Sequence, residues 1–134
     1  MKTLNIKKLN EIFKALSEKN RLKTLYFLMK HEEVCSCQIT EFMGVRAATT
    51  SKHMNLLLTL SLVESRKEGR WLFYKLRTNN IALSPLLDWV KTNIEHDIDS
   101  GSLDKLMANI MQRNKVELCR QQRGIKCCPN NSRS

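Results

Sequence analysis

The 134-residue sequence predicts a mainly α-helical domain with one small β-hairpin. Apolar residues recur every three or four positions along most of the chain, which is the spacing of an amphipathic helix. Between residues 62 and 76 this spacing gives way to two short apolar and aromatic runs on either side of a glycine-containing turn. Hydrophobic residues make up 42% of the sequence, which is enough for one core, so a single folded domain is expected.

Four helices are expected before the hairpin. Ser17 is a good cap for the second helix, whose apolar face runs as far as Met29. Gly44 ends the third helix and leaves a short turn before the fourth, which is typical of a helix-turn-helix. The first, third and fourth helices are expected at about residues 4–16, 36–43 and 46–59.

The expected strands cover residues 62–66 and 71–76, with a turn in which Gly69 can take a positive φ. Ser84 and Pro85 are suited to cap and open a fifth helix that reaches about residue 98. After Gly101 a sixth helix is expected to extend towards Cys119. Helices, a helix-turn-helix, a hairpin wing and further helices together predict a winged helix-turn-helix domain over residues 1–122, followed by a flexible, cysteine-containing tail over residues 123–134.

The charge distribution favours an anionic partner. The formal net charge is +10, and residues 44–77 contain seven basic and two acidic residues. This excess falls on the expected fourth helix and wing, the two elements that would touch DNA, so operator DNA is the expected partner rather than a membrane. No signal-peptide core, Gly-rich phosphate loop, zincin pair or nucleophile elbow is present, so we expect a cytoplasmic protein that is not an enzyme and needs no organic cofactor.

The five cysteines are clustered near residue 36 and near the C-terminus, and thiolates are ligands for soft metals and metalloids. On a regular helix Cys35 and Cys37 would point about 200° apart, so they converge only if Cys35 precedes the helix. Alternatively, Cys35 is a small hydrophobic core residue. Cys119, Cys127 and Cys128 could complete one site with the first pair, form a site of their own, or be incidental.

Several segments together resemble the metalloregulatory ArsR/SmtB repressors. The similarity covers about residues 10 to 77 and includes a thiolate box around Cys35 and Cys37, in which Thr40 stands where a third cysteine often occurs. The resemblance implies a homodimeric repressor that leaves operator DNA when cysteine thiolates bind trivalent arsenic or antimony, with zinc, cadmium or lead as other candidates. The matching segments are Phe13–Ser17, Arg21–Leu22, Glu33–Ile39, Thr49–Met54 and Glu68–Tyr74.

The resemblance also implies which residues face DNA. Lysine and arginine side chains of the wing are expected to contact phosphate or the minor groove, and His53 is expected to pack or to contact phosphate. The set expected on the fourth helix is Arg46, Ala47, Thr49, Ser51, Lys52 and His53, and the set expected on the wing is Arg66, Lys67 and Arg70.

Apolar positions on the first helix and on the helices after the wing exceed what one small core needs, so we expect a homodimer built from those helices. These positions are Ile6, Leu9, Ile12, Phe13, Leu87, Val90, Ile94, Leu103 and Met107. Two other functions fit the same sequence: a winged-helix regulator that senses redox state by disulfide formation, and a nucleic-acid-binding module without a regulatory role.

Overall fold

The computed structural model describes residues 5–78, 81–97 and 99–122. Within them the chain forms seven helices and one three-stranded antiparallel sheet, and the expected mainly α winged helix-turn-helix fold is confirmed. The elements are α1 (Ile6–Leu16), α2 (Lys19–Lys30), β1 (Val34–Cys35), α3 (Ser36–Met43), α4 (Ala47–Thr59), β2 (Val63–Glu68), β3 (Trp71–Leu76), α5 (Ser84–Glu95), α6 (Ser100–Gln112) and α7 (Lys115–Gln121).

The turn between α3 and α4 follows the expectation. Gly44 adopts the left-handed conformation, with φ of 70°, and its N–H donates to the Thr40 carbonyl. A side chain at this φ is unfavourable, which explains the glycine. Ile39, Met54 and Leu57 are fully buried where α3 and α4 meet, so the two helices share the central core.

The sheet contains a strand that the sequence did not indicate. β1 is two residues long and pairs with β3, so that Val34 lies opposite Tyr74 and Cys35 opposite Phe73. Strand order is β1-β3-β2, which places β3 in the centre. The segment that carries the first cysteine is therefore hydrogen-bonded to the wing.

The structure differs from the sequence expectation at the cap of α2 and at the wing turn. Ser17 does not cap α2, because its hydroxyl donates to the Lys14 carbonyl at the end of α1, and the Glu18 side chain accepts the Arg21 N–H instead. The wing turn is shorter than expected because β2 continues to Glu68. Gly69, with φ of 63°, occupies the first turn position.

The C-terminal helices also begin and end differently. Ser84 is the first residue of α5 rather than its cap, which is Leu83. Gly101 lies inside α6 instead of preceding it. The sixth helix stops at Gln112, because Arg113 is extended, and the Asn114 side chain then accepts the Glu117 N–H to start α7.

α6 and α7 pack against α3, and Met107, Ile110 and Leu118 of these helices have at most 1% exposed surface. Two of the positions expected at the dimer interface, Met107 and Ile12, are thus buried in the core of the protomer itself. The expected tail, residues 123–134 with Cys127 and Cys128, lies outside the described residues. None of the helices described is both long and apolar enough to cross a lipid bilayer.

Candidate metal centre and nucleic-acid interface

Cys35 and Cys37 point at each other. Cys35 ends β1 and is the extended N-cap residue of α3, with φ of −74° and ψ of 149°, whereas Cys37 lies in the first turn of the helix. Their Sγ atoms are 3.3 Å apart. The expectation that the two converge only when Cys35 precedes the helix is confirmed, and the structure offers a ready-made pair of sulfur ligands.

The surroundings of this pair favour thiolate. A hydrogen bond between the Cys35 and Cys37 side chains and the backbone N–H groups of Cys37 and Gln38 lower the pKa of Cys35, although burial opposes this. The positive charge of Lys115 acts in the same direction. The Gln38 side chain accepts the Cys35 N–H at 2.8 Å, which fixes the backbone at the cap. The first turn of α3 is therefore organised to hold negative charge on sulfur.

α7 covers the cysteine pair. The Sγ of Cys37 lies 3.9 Å from the Lys115 carbonyl oxygen, and the side chain of Gln122 donates to the Cys37 carbonyl at 3.0 Å. Leu118 anchors the helix, since it is fully buried. Neither Cys35 nor Cys37 has exposed surface, so an ion reaches the sulfurs only after α7 or a neighbouring element opens.

Among the described residues, no third cysteine forms a metal-binding group with the pair. Cys119 lies on α7 and is 7% exposed, and it is disulfide-bonded, so it can serve as a ligand only after reduction. Across the residues described, no group of three or more His, Cys, Asp and Glu side chains is arranged to hold a metal ion. Cys127 and Cys128 fall outside the described residues, so the structure brings together two of the five expected ligands.

Thr40, at the position where a third cysteine was considered, has a different partner. Its hydroxyl donates to the Ser36 carbonyl at 3.0 Å and lies 2.9 Å from the hydroxyl of Thr50, which is fully buried in α4. The Thr50 hydroxyl in turn lies 3.3 Å from the Arg46 carbonyl. Thr40 therefore links the cysteine-bearing helix to α4.

Most residues expected to face DNA do lie on the surface of α4 and the wing. Arg46, Ser51 and Lys52 are exposed on α4, and Ala47 and Thr49 are partly exposed beside them. Lys67 and Arg70 are exposed at the tip of the hairpin. These side chains can approach a polyanion without any rearrangement of the core.

Two residues of the expected set have partners within the protein. The ring of His53 lies 2.9 Å from the Arg21 guanidinium and 3.9 Å from Glu18, with only 14% of its side chain exposed, which favours the packing alternative. Arg66 binds Glu33 through two nitrogens, at 2.7 and 2.8 Å, and Glu68 through a third at 2.6 Å. These bonds raise the pKa of Arg66 and lower the pKa of Glu33.

Sequence reasoning assigned no role to Glu33, Lys115 or Gln122 at this site. Glu33 connects β1 to the wing through Arg66, and Lys115 and Gln122 belong to the cover over the thiols. Asn114, a good cap residue, was the one local signal that a separate seventh helix begins there. The contacts themselves join residues up to 85 positions apart, which periodicity cannot reveal.

Known proteins share this architecture. The family model "Bacterial regulatory protein, arsR family" matches residues 11–65. The cadmium resistance transcriptional regulatory protein CadC of Listeria innocua is 38% identical over 76 residues, which cover 57% of this chain and 62% of that protein. The match thus spans less than two thirds of the relative. The arsenical resistance operon repressor of Bacillus subtilis is 30% identical over 76 residues, covering 57% of this chain and 72% of that protein.

A solved structure agrees in fold. The homodimeric winged helix-turn-helix DNA-binding domain of a possible ArsR-family transcriptional regulator from Mycobacterium bovis superimposes with a TM-score of 0.58. The two share 24% identity, and the match covers 70% of this chain and 84% of that domain. Since the arsenical repressor is 30% identical with nearly three quarters of its length matched, this chain belongs to the ArsR family of bacterial regulatory proteins.

Proposed function

We propose that this chain is a transcriptional repressor that binds operator DNA as a homodimer and leaves it when a soft ion binds its cysteine thiolates. The observation that carries the proposal is the 3.3 Å separation of the Cys35 and Cys37 sulfurs beside the helix-turn-helix. The names of the relatives point the same way, since one is a cadmium resistance regulator and another an arsenical resistance repressor.

The sulfur separation favours a trivalent metalloid. Two thiolates on a tetrahedral zinc ion are about 3.8 Å apart at the usual Zn–S bond length. A trivalent arsenic centre is pyramidal with angles nearer 90°, which at a bond length of about 2.3 Å brings two sulfurs to about 3.3 Å. The 3.3 Å between the two thiols is close to that separation, so arsenite or antimonite is the proposed inducer, with cadmium, zinc and lead as weaker ligands.

A pyramidal centre needs three sulfurs and the pair supplies two. Cys119, Cys127 and Cys128 are the candidates for the third ligand, from the same protomer or its partner, or for a second site. Of the three, Cys119 is the one among the described residues, and it lies on α7, the helix that covers the pair. Its disulfide must first be reduced, so the proposal requires thiol-reducing conditions.

Three contacts support a route from the sulfurs to the DNA-binding surface. Cys35 pairs with β3 of the wing, and the neighbouring Glu33 is bound to Arg66 of β2. Thr40 of α3 meets Thr50 of α4. An ion that reshapes the first turn of α3 would therefore act on α4 and on the wing together, and a coupling of about 1–3 kcal/mol is enough to change operator occupancy.

For the DNA complex we propose that α4 enters the major groove and the wing tip contacts phosphate or the minor groove. Two copies in a dimer would address half-sites about 34 Å apart. Arg66 is held by two carboxylates, so we do not include it among the contacts to DNA. The proposed contact residues are Arg46, Ala47, Thr49, Ser51, Lys52, Lys67 and Arg70.

A homodimer fits the exposed apolar surface of the described protomer. Ile6 and Phe13 of α1 are 84% and 55% exposed, and Trp89 of α5 is 65% exposed. Large apolar side chains with this exposure are typical of interaction surfaces. We expect Phe13→Glu to convert the dimer to a monomer in light scattering, whereas Asn10→Glu on an exposed position of the same helix leaves it intact.

The test of the repressor measures operator binding by fluorescence anisotropy with fully reduced protein. Arsenite is expected to release the DNA at lower concentration than cadmium or zinc, and a Cys35→Ser, Cys37→Ser variant is expected to bind DNA but ignore arsenite. A normal response of this variant would move the sensor to the C-terminal cysteines. Release by peroxide but not by arsenite would favour the redox regulator, and no preference for any duplex would favour the non-regulatory module.

A further inference from the structure

A cavity of about 500 Å³ lies at the base of the wing, away from the cysteines. Its walls are the end of α2, the end of β3 with the residues that follow it, and the first half of α5. This volume is in the range that holds small organic ligands. We call it the wing-base cavity.

Five charged side chains surround the wing-base cavity. Lys75, Arg77 and Lys91 bring three positive charges, and Glu32 and Asp88 bring two negative ones. Within the described part of the chain none of the five forms an ion pair, although five other pairs are present elsewhere. Charged groups that converge on a cavity without partners are characteristic of a ligand site.

Arg77 provides an independent indication. Its Nε atom is buried, and it has no hydrogen-bond partner among the residues described. The backbone of Arg77 is fixed, because its N–H donates to the Leu62 carbonyl at 3.1 Å. A buried donor without an acceptor is costly, so a ligand that enters the cavity and brings an oxygen within reach of this guanidinium would remove that cost.

The remaining lining is partly apolar. Leu28, Met29, Leu76 and Leu87 give the cavity an apolar wall, and Thr78 and Ser84 add two hydroxyl groups. The five charges sum to +1, which a monoanion neutralises, whereas a phosphate dianion would leave an excess of negative charge beside Glu32 and Asp88. We propose that the wing-base cavity binds a small monocarboxylate with an apolar body, whose carboxylate is held by Arg77.

Leu87 lines the cavity, whereas the exposed Trp89 of the same helix does not. Leu87, Asp88 and Lys91 lie on one face of α5 by helical spacing, and Trp89 points to the opposite side. An occupant would touch the end of the wing strand and the start of α5 at once. Neither Cys35 nor Cys37 lines the cavity, so this inference does not depend on the metal site.

The experiment is calorimetric titration of the full reduced chain with octanoate, below the concentration at which octanoate forms micelles. Two compounds separate the contributions: 1-octanol has the apolar body without the charge, and inorganic phosphate has charge without the body. We expect saturable binding of octanoate and at least tenfold weaker binding of both comparison compounds. Equal binding of octanol, equal binding of phosphate, or no saturable binding of octanoate would each overturn the proposal.

Variants test the residue assignment. Arg77→Met keeps much of the side-chain volume and is expected to weaken octanoate binding at least tenfold, and Lys91→Met is expected to weaken it less. Lys105→Met, on an exposed position of α6 outside the cavity, is the matched control and is expected to bind octanoate like the wild type. If Lys105→Met weakens binding as much as Arg77→Met, or if neither cavity variant weakens it, the cavity is not the site.

Discussion

Loosening α7 should expose the cysteine pair, and Gln122→Ala is the mildest way to do so. The substitution removes the hydrogen bond from the Gln122 side chain to the Cys37 carbonyl. A neutral hydrogen bond of this kind contributes about 1 kcal/mol, so the open population of α7 should increase roughly fivefold. Because both thiols are fully buried when α7 is closed, their rate of reaction with a maleimide should increase by the same factor.

The assay is pulse labelling of the reduced protein with N-ethylmaleimide, followed by mass spectrometry of the peptide that contains both cysteines. Gln112→Ala, on an exposed position at the end of α6, is the matched control and should label like the wild type. Leu118→Ala removes a fully buried anchor of α7 and should accelerate labelling further, since such a change costs about 2–5 kcal/mol. Wild-type labelling rates in both Gln122→Ala and Leu118→Ala would refute the covering role of α7.

Three further outcomes are expected. Lys52→Ala should weaken operator binding and reduce the slope of log affinity against log salt by about one, measured by anisotropy at several salt concentrations, because it removes one phosphate contact. Thr40→Val and Thr50→Val should each lower the free energy of unfolding by about 1 kcal/mol, with a double variant that costs less than the sum, measured by urea denaturation. The ultraviolet thiolate signal should appear at lower pH in the wild type than in Cys37→Ala, since Cys37 lowers the pKa of Cys35. Equal midpoints would contradict that cause.

The sign of the last effect also sets a pH dependence of stability. A thiol whose pKa is lowered in the folded state binds fewer protons there than in the unfolded chain. Its contribution to stability is therefore complete above the ordinary cysteine pKa and is lost as pH falls through the lowered value of Cys35. As pH rises from the lowered pKa of Cys35 to the ordinary cysteine pKa, the free energy of unfolding of the wild type should increase relative to that of Cys37→Ala.

Local sequence signals were sufficient to predict the first six helices and the hairpin, but not the separate α7. The bounds of α3 were predicted to the residue because Gly44 and the apolar positions before it act within one turn of the helix. The cap expected at Ser17 was wrong because the neighbouring Glu18 accepts the Arg21 N–H instead. The cap expected at Ser84 was misplaced by one residue, since Ser84 is the first residue of α5 and Leu83 is its cap.

Long-range contacts were beyond such signals. β1 is two residues long and exists because β3 offers a free edge, which no pattern in Val34 and Cys35 indicates. The convergence of Cys35 and Cys37 could be stated as a geometric condition, since only an N-cap position satisfies it. The packing of α7 and Gln122 over the two sulfurs could not be predicted in this way. Gln122 and Cys37 are 85 residues apart in the sequence, and either side chain could have faced solvent.

The ladder between β1 and β3 makes the thiol segment and the wing one mechanical unit. In the proposed repressor, a wing clamped on an operator would hold the Cys35 backbone in the sheet and resist any change in the first turn of α3. Linkage is reciprocal: the free energy by which an ion weakens DNA binding equals the free energy by which DNA weakens ion binding. Repressor bound to the operator would thus bind the ion more weakly than repressor free in the cell. The ion concentration needed for release would therefore depend on how much of the protein is not bound to DNA.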